Sequence, residues 1–135
     1  MESLSSLHGL PAFLSYLAVA CALLGLFVLI YIQITAHHEF ALIKQNNVAA
    51  AIAFGTAVLG FCLPMHSAIS QSVSILDCAI WGAVALVVQV LAYLVARWTV
   101  ADLSGRITRG EIAPAIYSGA LSLGIGLLNA AAMTY

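Results

Sequence analysis

The segment Val48-Ala-Ala-Ala-Ile-Ala-Phe-Gly-Thr-Ala-Val-Leu-Gly-Phe-Cys-Leu-Pro-Met-His-Ser67 decides the fold of this chain. It contains no Asp, Glu, Lys or Arg, and it has the length of about 20 residues that a helix needs to cross a bilayer. Residues 11–34, 76–96 and 112–133 are similarly long and apolar. None of these segments alternates polar and apolar residues with a period of two, as membrane β-strands do. We therefore predict an all-α, polytopic membrane protein with four transmembrane helices in a single domain, residues 1–135.

The composition of the whole chain excludes other classes of protein. Of its 135 residues, 64% are hydrophobic and 7% are charged, against about 25% charged residues in soluble domains. A small soluble domain buries only about 60–70% of its chain surface and could not conceal so much apolar area. Intrinsic disorder needs the opposite composition. A net charge of −1 without a basic run excludes a nucleic-acid partner, and leaves the lipid bilayer as the expected environment.

The basic residues predict the orientation in the membrane. Lys44 follows the first span, and the other three, Arg97, Arg106 and Arg109, follow the third. The positive-inside rule places this side in the cytoplasm, so both termini are expected outside. The same basic side chains could contact cytoplasmic partners or anionic lipid headgroups. The first span lacks the basic n-region of a signal peptide and is expected to remain as an anchor.

The chain also matches itself at an offset of 64 residues. Eight of the 21 residues from Ile43 to Leu63 are identical to the residues 64 positions later. An internal match of this kind predicts two tandem two-helix repeats, about 11–71 and 75–135. Each repeat crosses the membrane twice, so the two copies are expected in parallel orientation, related by an axis along the membrane normal.

Small residues recur at every fourth position in the second and fourth helices. These positions are Ala49, Ala53 and Ala57, and Ser118, Ser122, Gly126 and Ala130. Such stripes let helix backbones approach closely in lipid. They predict packing faces through which the chain self-associates as a homo-oligomer. The first and third helices are bulkier and are expected to face lipid or a neighbouring subunit.

Polar residues inside the spans are candidate functional residues, because they are costly in lipid. Gln89 lies about halfway along the third span, where its amide can form an interhelical hydrogen bond or line a polar path. Asp77 begins the same span, and Ser74-Ile-Leu-Asp77 resembles a capping box. A proton or cation site is the alternative role for Asp77.

A second group of polar or irregular residues is expected at the outer ends of the helices. Pro64 either kinks the second helix or marks its last turn. His66 follows it and could sense external acidity or merely be solvated. Asn129 of the fourth helix aligns with Met65 in the repeat, so Pro64, His66, Asp77 and Asn129 form one expected cluster.

On the cytoplasmic side, the sequence predicts helix caps. Asn47 precedes the second helix and aligns with Glu111, which precedes the fourth, so both are candidate N-caps. Thr108-Arg-Gly-Glu111 resembles a second capping box.

Enzymatic, cofactor and metal motifs are not found in the chain. The cysteines, Cys21, Cys62 and Cys78, match no zinc spacing, and cysteine within a span is an ordinary small apolar residue. We therefore expect neither an enzyme nor a bound cofactor or metal.

Three motifs resemble the YjfL-like family of small bacterial inner-membrane proteins of unknown function. They are Asn47-Val-Ala-Ala-Ala-Ile52, Leu59-Gly-Phe-Cys-Leu-Pro64 and Asn129-Ala-Ala-Ala-Met-Thr-Tyr135. The resemblance implies that Asn47, Ser67, Trp81, Met133 and Tyr135 are motif positions. Asn46 stands where the family usually has glycine. The resemblance also implies a setting of membrane stress or membrane remodelling, with stress-system proteins as possible cytoplasmic or membrane partners.

Two functions follow as hypotheses. The first is a self-associating scaffold or partner protein in the maintenance of the envelope. The alternative is an oligomeric channel or transporter for ions or small solutes, with a polar path near Gln89, Asp77 and Asn129.

Overall fold

The computed structural model describes residues 6–133, so the motif position Tyr135 lies outside the described residues. Within this range, six helices have defined first and last residues: α1 Leu10–Ile34, α2 Glu39–Lys44, α3 Val48–Gln71, α4 Ile75–Thr99, α5 Leu103–Thr108 and α6 Ile112–Ala132. Helices α1, α3, α4 and α6 are long and apolar enough to cross a membrane. The prediction of an all-α protein with four spans is confirmed.

Two spans are longer than the sequence indicates. Helix α3 continues through Pro64 to Gln71, so Pro64 lies inside the helix and not in its last turn. Helix α4 extends to Thr99, beyond the expected end at residue 96. The short helices α2 and α5 lie in segments that the sequence analysis treated as connections. Their six residues each are too few to give a clear helical period.

The four spans run antiparallel in sequence order, which gives the bundle two distinct ends. Helices α2 and α5 and the basic residues lie at one end, called the basic end below. There Arg97 Nη1 donates to the carbonyl oxygen of Ile34 (3.1 Å), and Ala36 N donates to Ser104 Oγ (3.2 Å). The opposite end, called the far end, contains the turn between α3 and α4.

Helices α3 and α6 form the centre of the bundle, and their small-residue stripes face each other. Ala49, Ala53 and Ala57 are buried, as are Ser118 and Ser122. At the closest point a Cβ atom added to Gly126 would collide with the carbonyl oxygen of Gly60. These faces are therefore occupied within one chain and not between copies, whereas the formation of a homo-oligomer stays a prediction.

Helix α4 lies in the core and not at the periphery. Its buried residues include Gly82, Ala85, Gln89 and Tyr93, all on one side of the helix, so its bulky residues Val87 and Leu91 occupy the exposed side. The expected peripheral position fits α1 better. In the most apolar 18-residue window of α1, 6% of the residues are buried, against 39% in the corresponding window of α4.

Equivalent elements recur along the chain at the offset found in the sequence. Helices α2 and α5 begin and end 64 residues apart. Asn46 (φ 65°) and Gly110 (φ 82°) both have left-handed backbones and are also 64 residues apart. The element order is the one that two tandem copies produce, and the duplication itself stays a prediction.

Candidate functional site

A short polar segment, residues 35–39, is buried at the basic end between α1 and α2. Thr35, His37 and Glu39 are 7%, 4% and 1% exposed, whereas Ala36 and His38 face outward. The alternation follows from extended backbone at Thr35 and His38, which directs successive side chains to opposite sides. The hydroxyl of Thr35, the imidazole of His37 and the carboxyl group of Glu39 therefore lie in the interior.

The carboxyl group of Glu39 has two polar neighbours. Thr35 Oγ1 donates a hydrogen bond to Glu39 Oε1. His37 Nε2 lies 3.4 Å from the same oxygen, within ion-pair distance but without the alignment of a hydrogen bond. Glu39 Oε2 and both ring nitrogens of His37 have no hydrogen-bond partner among residues 6–133. Burial lowers the pKa of His37 below its usual value, and this effect outweighs the opposing influence of the Glu39 carboxylate.

Two tyrosines extend this site from the segment toward the middle of the membrane. The rings of Tyr31 and Tyr93 meet edge to face, with centroids 5.3 Å apart. The Tyr93 hydroxyl lies 3.4 Å from Ser104 Oγ. Ser104 and Arg97 also line a polar cavity of about 360 Å³ at the basic end. Together these residues form the buried polar cluster: Tyr31, Thr35, His37, Glu39 and Tyr93.

Gln89 lies one helical turn from Tyr93, toward the far end, and is 1% exposed. Its Nε2 donates to the carbonyl oxygen of Ser122 over 3.2 Å. Its Oε1 has no partner within the described part of the chain. A Cβ atom on Gly60 would lie 2.8 Å from Gln89 Nε2, so the glycine makes room for the amide. Gln89 therefore forms an interhelical bond and also presents a free acceptor to the interior.

Asp77 forms a cap at the start of α4. Its amide N–H donates to Ser74 Oγ (3.1 Å), and its Oδ2 accepts from Val73 N (3.2 Å). The second bond goes one residue further back than in a standard capping box. These contacts account for Asp77 without a ligand.

The other expected far-end residues differ in their burial. Pro64 is buried inside α3, whereas His66 is exposed on the rim of an apolar groove of about 260 Å³ between α1 and α3. Asn129 Nδ2 is buried and has no partner in residues 6–133. No hydrogen bond or ion pair joins Gln89, Asp77 and Asn129 within that range, so they do not form one contact site.

Asn47 caps α3, as the sequence indicates. Its Oδ1 accepts from Ala50 N (3.0 Å), and its Nδ2 donates to the carbonyl oxygens of Ile107 and Thr108, both at 3.2 Å. Asn47 therefore ties the start of α3 to the end of α5. Glu111 occupies the N-cap position of α6 but makes no side-chain cap bond. The expected capping box at 108–111 is wrong, because Thr108 ends α5 and its hydroxyl donates to the Ser104 carbonyl.

Most of the basic residues are engaged within the chain. Arg106 Nε donates to Glu111 Oε1 (2.9 Å), while Arg109 pairs with Glu111 and with Asp102. The hydrogen bond from Arg106, joined by Arg109, holds the pKa of Glu111 below its usual value. Lys44, at the end of α2, is exposed and has no ion-pair partner in the described ranges.

The motif positions within the described residues lie in the packed body. Met133 is 2% exposed, Ser67 is half-buried, and Trp81 packs against the core. No group of three His, Cys, Asp or Glu residues in the part of the chain that the structure describes could hold a metal ion.

Sequence reasoning missed the buried polar cluster. Its members carry one signal, which is a spacing of four residues: Tyr31 and Thr35 continue one face of α1, and Gln89, Tyr93 and Arg97 continue one face of α4. A polar stripe at helical period inside an apolar span marks an inward face.

The fold and this interior together define the class: a polytopic α-helical membrane protein with buried ionisable groups at one membrane boundary. The chain belongs to the family described as Domain of Unknown Function (DUF350), which matches residues 5–133. It is 40% identical over 129 residues to the UPF0719 inner membrane protein YjfL of Escherichia coli K12, covering 96% of this chain and 98% of that protein.

A second relative comes from a different bacterium. The UPF0719 transmembrane protein YshE of Bacillus subtilis is 31% identical over 81 residues, covering 60% of each chain. No solved structure matches the chain significantly. The resemblance noted in the sequence is thus confirmed, and the names of these relatives carry no enzymatic activity.

Proposed function

We propose that this chain transfers protons across a bacterial inner membrane along its buried polar side chains. The observation that carries the proposal is the recurrence of buried, unpartnered polar atoms at three depths among residues 6–133. Asn129 lies toward the far end, Gln89 near the middle, and the buried polar cluster at the basic end.

Unpartnered polar atoms inside a membrane protein are costly. Each costs about 1–3 kcal/mol when it lacks a hydrogen-bond partner, and polar groups in spans are rare unless they serve a pathway or a structural bond. Hydroxyl, imidazole and carboxyl groups can pass a proton, and a water molecule bound to an amide can carry it between them. The polar cavity beside Ser104 gives the basic end of such a row contact with solvent.

The tight packing of the bundle favours a proton over a larger substrate. The backbones of Gly60 and Gly126 meet in the centre, beside the hydrogen bond from Gln89 to Ser122. A hydrated ion or a solute needs a continuous lumen, whereas a proton needs only hydrogen-bonding groups in sequence. Of the substrates that a channel could carry, we therefore propose the proton.

Proton flux into proteoliposomes that contain a pH-sensitive dye tests the proposal, with a potassium diffusion potential as driving force. Gln89→Leu should abolish flux while the protein keeps its elution profile and helical circular dichroism. The matched control is Gln33→Leu, since Gln33 is exposed on α1. Flux through Gln89→Leu equal to that of the wild type rejects the proposed path.

A scaffold role is the second candidate, and the exposure of α1 favours it. Only 6% of the most apolar stretch of α1 is buried, against 44% in α3, so a second copy could pack on α1. With the basic end in the cytoplasm, Lys44 is the basic residue best placed for a partner. Mass measurement of the protein in native nanodiscs distinguishes a monomer from an oligomer, and a reporter fused after Tyr135 tests the orientation.

A further inference from the structure

Glu39 and His37 together pose an electrostatic problem that limits their protonation states. Both side chains are buried, with 1% and 0% of their surface accessible. A lone charge in such a place carries a penalty of several kcal/mol, so the pair must be neutral overall. Two states satisfy this condition: a carboxylate beside an imidazolium, or a carboxylic acid beside a neutral imidazole. They differ only by the transfer of one proton across 3.4 Å.

The surrounding elements supply hydroxyl groups but little compensating charge. Tyr31 on α1 and Tyr93 on α4 lie near Glu39 and carry hydroxyl groups. Arg97 on α4 is directed to the carbonyl oxygen of Ile34. His38, the remaining neighbour that acts on His37, opposes a positive charge there. Burial acts in the same direction and lowers the pKa of His37, which favours the neutral imidazole and hence the protonated acid.

We propose that Glu39 is a proton-binding carboxylic acid that exchanges its proton with His37, and that Thr35 holds the carboxyl group in position for this exchange. Each transfer needs a small rotation of the two side chains into hydrogen-bond alignment, since they lie 3.4 Å apart. The O–H bond of Glu39 then breaks and an N–H bond forms at His37 Nε2, or the reverse. The proposal deepens the proposed function, because this pair becomes the terminal proton site at the basic end.

Labelling with the hydrophobic reagent dicyclohexylcarbodiimide tests the site directly. The reagent adds to protonated carboxyl groups in apolar surroundings and gives a stable N-acylurea. At neutral pH, peptide mass spectrometry of the protein in liposomes should find the adduct at Glu39. Glu111, which is paired with Arg106, and Asp102 serve as internal controls that stay unlabelled. Glu39→Gln should lose the adduct.

The variant His37→Gln tests the exchange between the two groups. Without the imidazole, a deprotonated Glu39 loses the only group of the pair that can become cationic. At neutral pH, the labelling of Glu39 should therefore be greater in His37→Gln than in the wild type. Equal labelling of the two proteins would show that His37 does not share the proton and would overturn the exchange.

Two further outcomes overturn the proposal. If Glu39 labels no more than Glu111 in folded protein, it is an ordinary ionised carboxylate. If an excess of sodium or potassium protects Glu39 at constant pH, the site binds a metal cation.

The labelling result and the flux result separate this inference from the proposed function. Specific labelling of Glu39 without proton flux supports the site and rejects the transmembrane path. Flux that depends on Gln89, with Glu39 unlabelled, supports the path and rejects the site.

Discussion

Gln89 Nε2 donates a 3.2 Å hydrogen bond to the main-chain carbonyl oxygen of Ser122, across the interface between α4 and α6. The acceptor is already part of a helix, so the bond links a side chain to a rigid backbone. It does so where the backbone of Gly60 comes closest to α6. The amide of Gln89 therefore depends on Gly60, because a side chain at Gly60 would occupy the space of the amide.

The contact between Gly60 and Gly126 predicts strong sensitivity to an added methyl group. Gly126→Ala places a Cβ atom against the Gly60 carbonyl and should lower stability by about 1–3 kcal/mol, as overpacking does. Gly124→Ala is the control, because a Cβ atom there has open space, and the helical preference of alanine should leave stability equal or slightly higher. Thermal unfolding in detergent measures the stability of both variants. Equal losses of stability would contradict the close contact between Gly126 and Gly60.

The bonds of Asn47 predict a cost larger than that of a simple cap. Asn47→Ala removes the cap bond to Ala50 and two bonds to the end of α5. A lost cap costs about 1 kcal/mol, and the unpaired carbonyl oxygens add to it. Asn47→Asp keeps the acceptor and loses the donor, so its unfolding temperature should fall between those of the wild type and Asn47→Ala. If Asn47→Ala unfolds at the wild-type temperature, the bonds of Asn47 do not stabilise the fold.

The backbone of Asn46 predicts which residues this position accepts. Its φ of 65° lies in the left-handed region, which costs most non-glycine residues about 1–2 kcal/mol. Asn46→Ala should therefore lower stability by about 1 kcal/mol, whereas Asn46→Gly should not. Gln45→Ala is the control, since Gln45 has φ −86°. Comparable unfolding midpoints for Asn46→Ala and Asn46→Gly would refute this explanation.

Acid should destabilise the protein through the basic end. The pKa of Glu111 is lowered in the folded state by Arg106 and Arg109. The contribution of Glu111 to folding stability is therefore complete above its unfolded pKa of 4.5. This contribution is lost as pH falls through the lower pKa of the folded state.

Unfolding temperature measured against pH checks this prediction. The wild type should lose stability as pH falls below the unfolded pKa of glutamate, and Glu111→Gln should lose less stability over the same pH range. A profile for Glu111→Gln that matches the wild type at every pH would show that the ion pairs with Arg106 and Arg109 do not affect folding.

The sequence predicts the four spans well because each is a long apolar segment, and hydropathy depends on local composition alone. It also identifies Asn47 as a cap, since capping is decided within four residues. Two other expectations failed because they depend on which helices become neighbours. The stripes at Ser122 and Gly126 could pair within a chain or between chains, and α4 could face lipid or core.

The buried polar cluster escaped sequence analysis for a related reason. Residues 35–39 lie beyond the end of an apolar span, where polar side chains are normally solvated. Their burial follows from extended backbone, which turns Thr35, His37 and Glu39 inward. This backbone has no signature in local composition, whereas Gln89 and Tyr93 of α4 show a spacing of four residues in the sequence.

The hydroxyl of Tyr93 gives the last prediction, which separates proton transfer from stability. Tyr93→Phe keeps the ring contact with Tyr31 and loses the contact with Ser104 Oγ. Tyr117→Phe is the matched control, since it loses an exposed bond to Thr99 (2.8 Å). Each should cost about 0.5–1.5 kcal/mol of stability or less, but only Tyr93→Phe should slow proton flux in proteoliposomes, by several-fold, because Tyr93 adjoins the cavity at the basic end. Equal flux in the two variants would place Tyr93 outside the path and leave its hydroxyl a structural group.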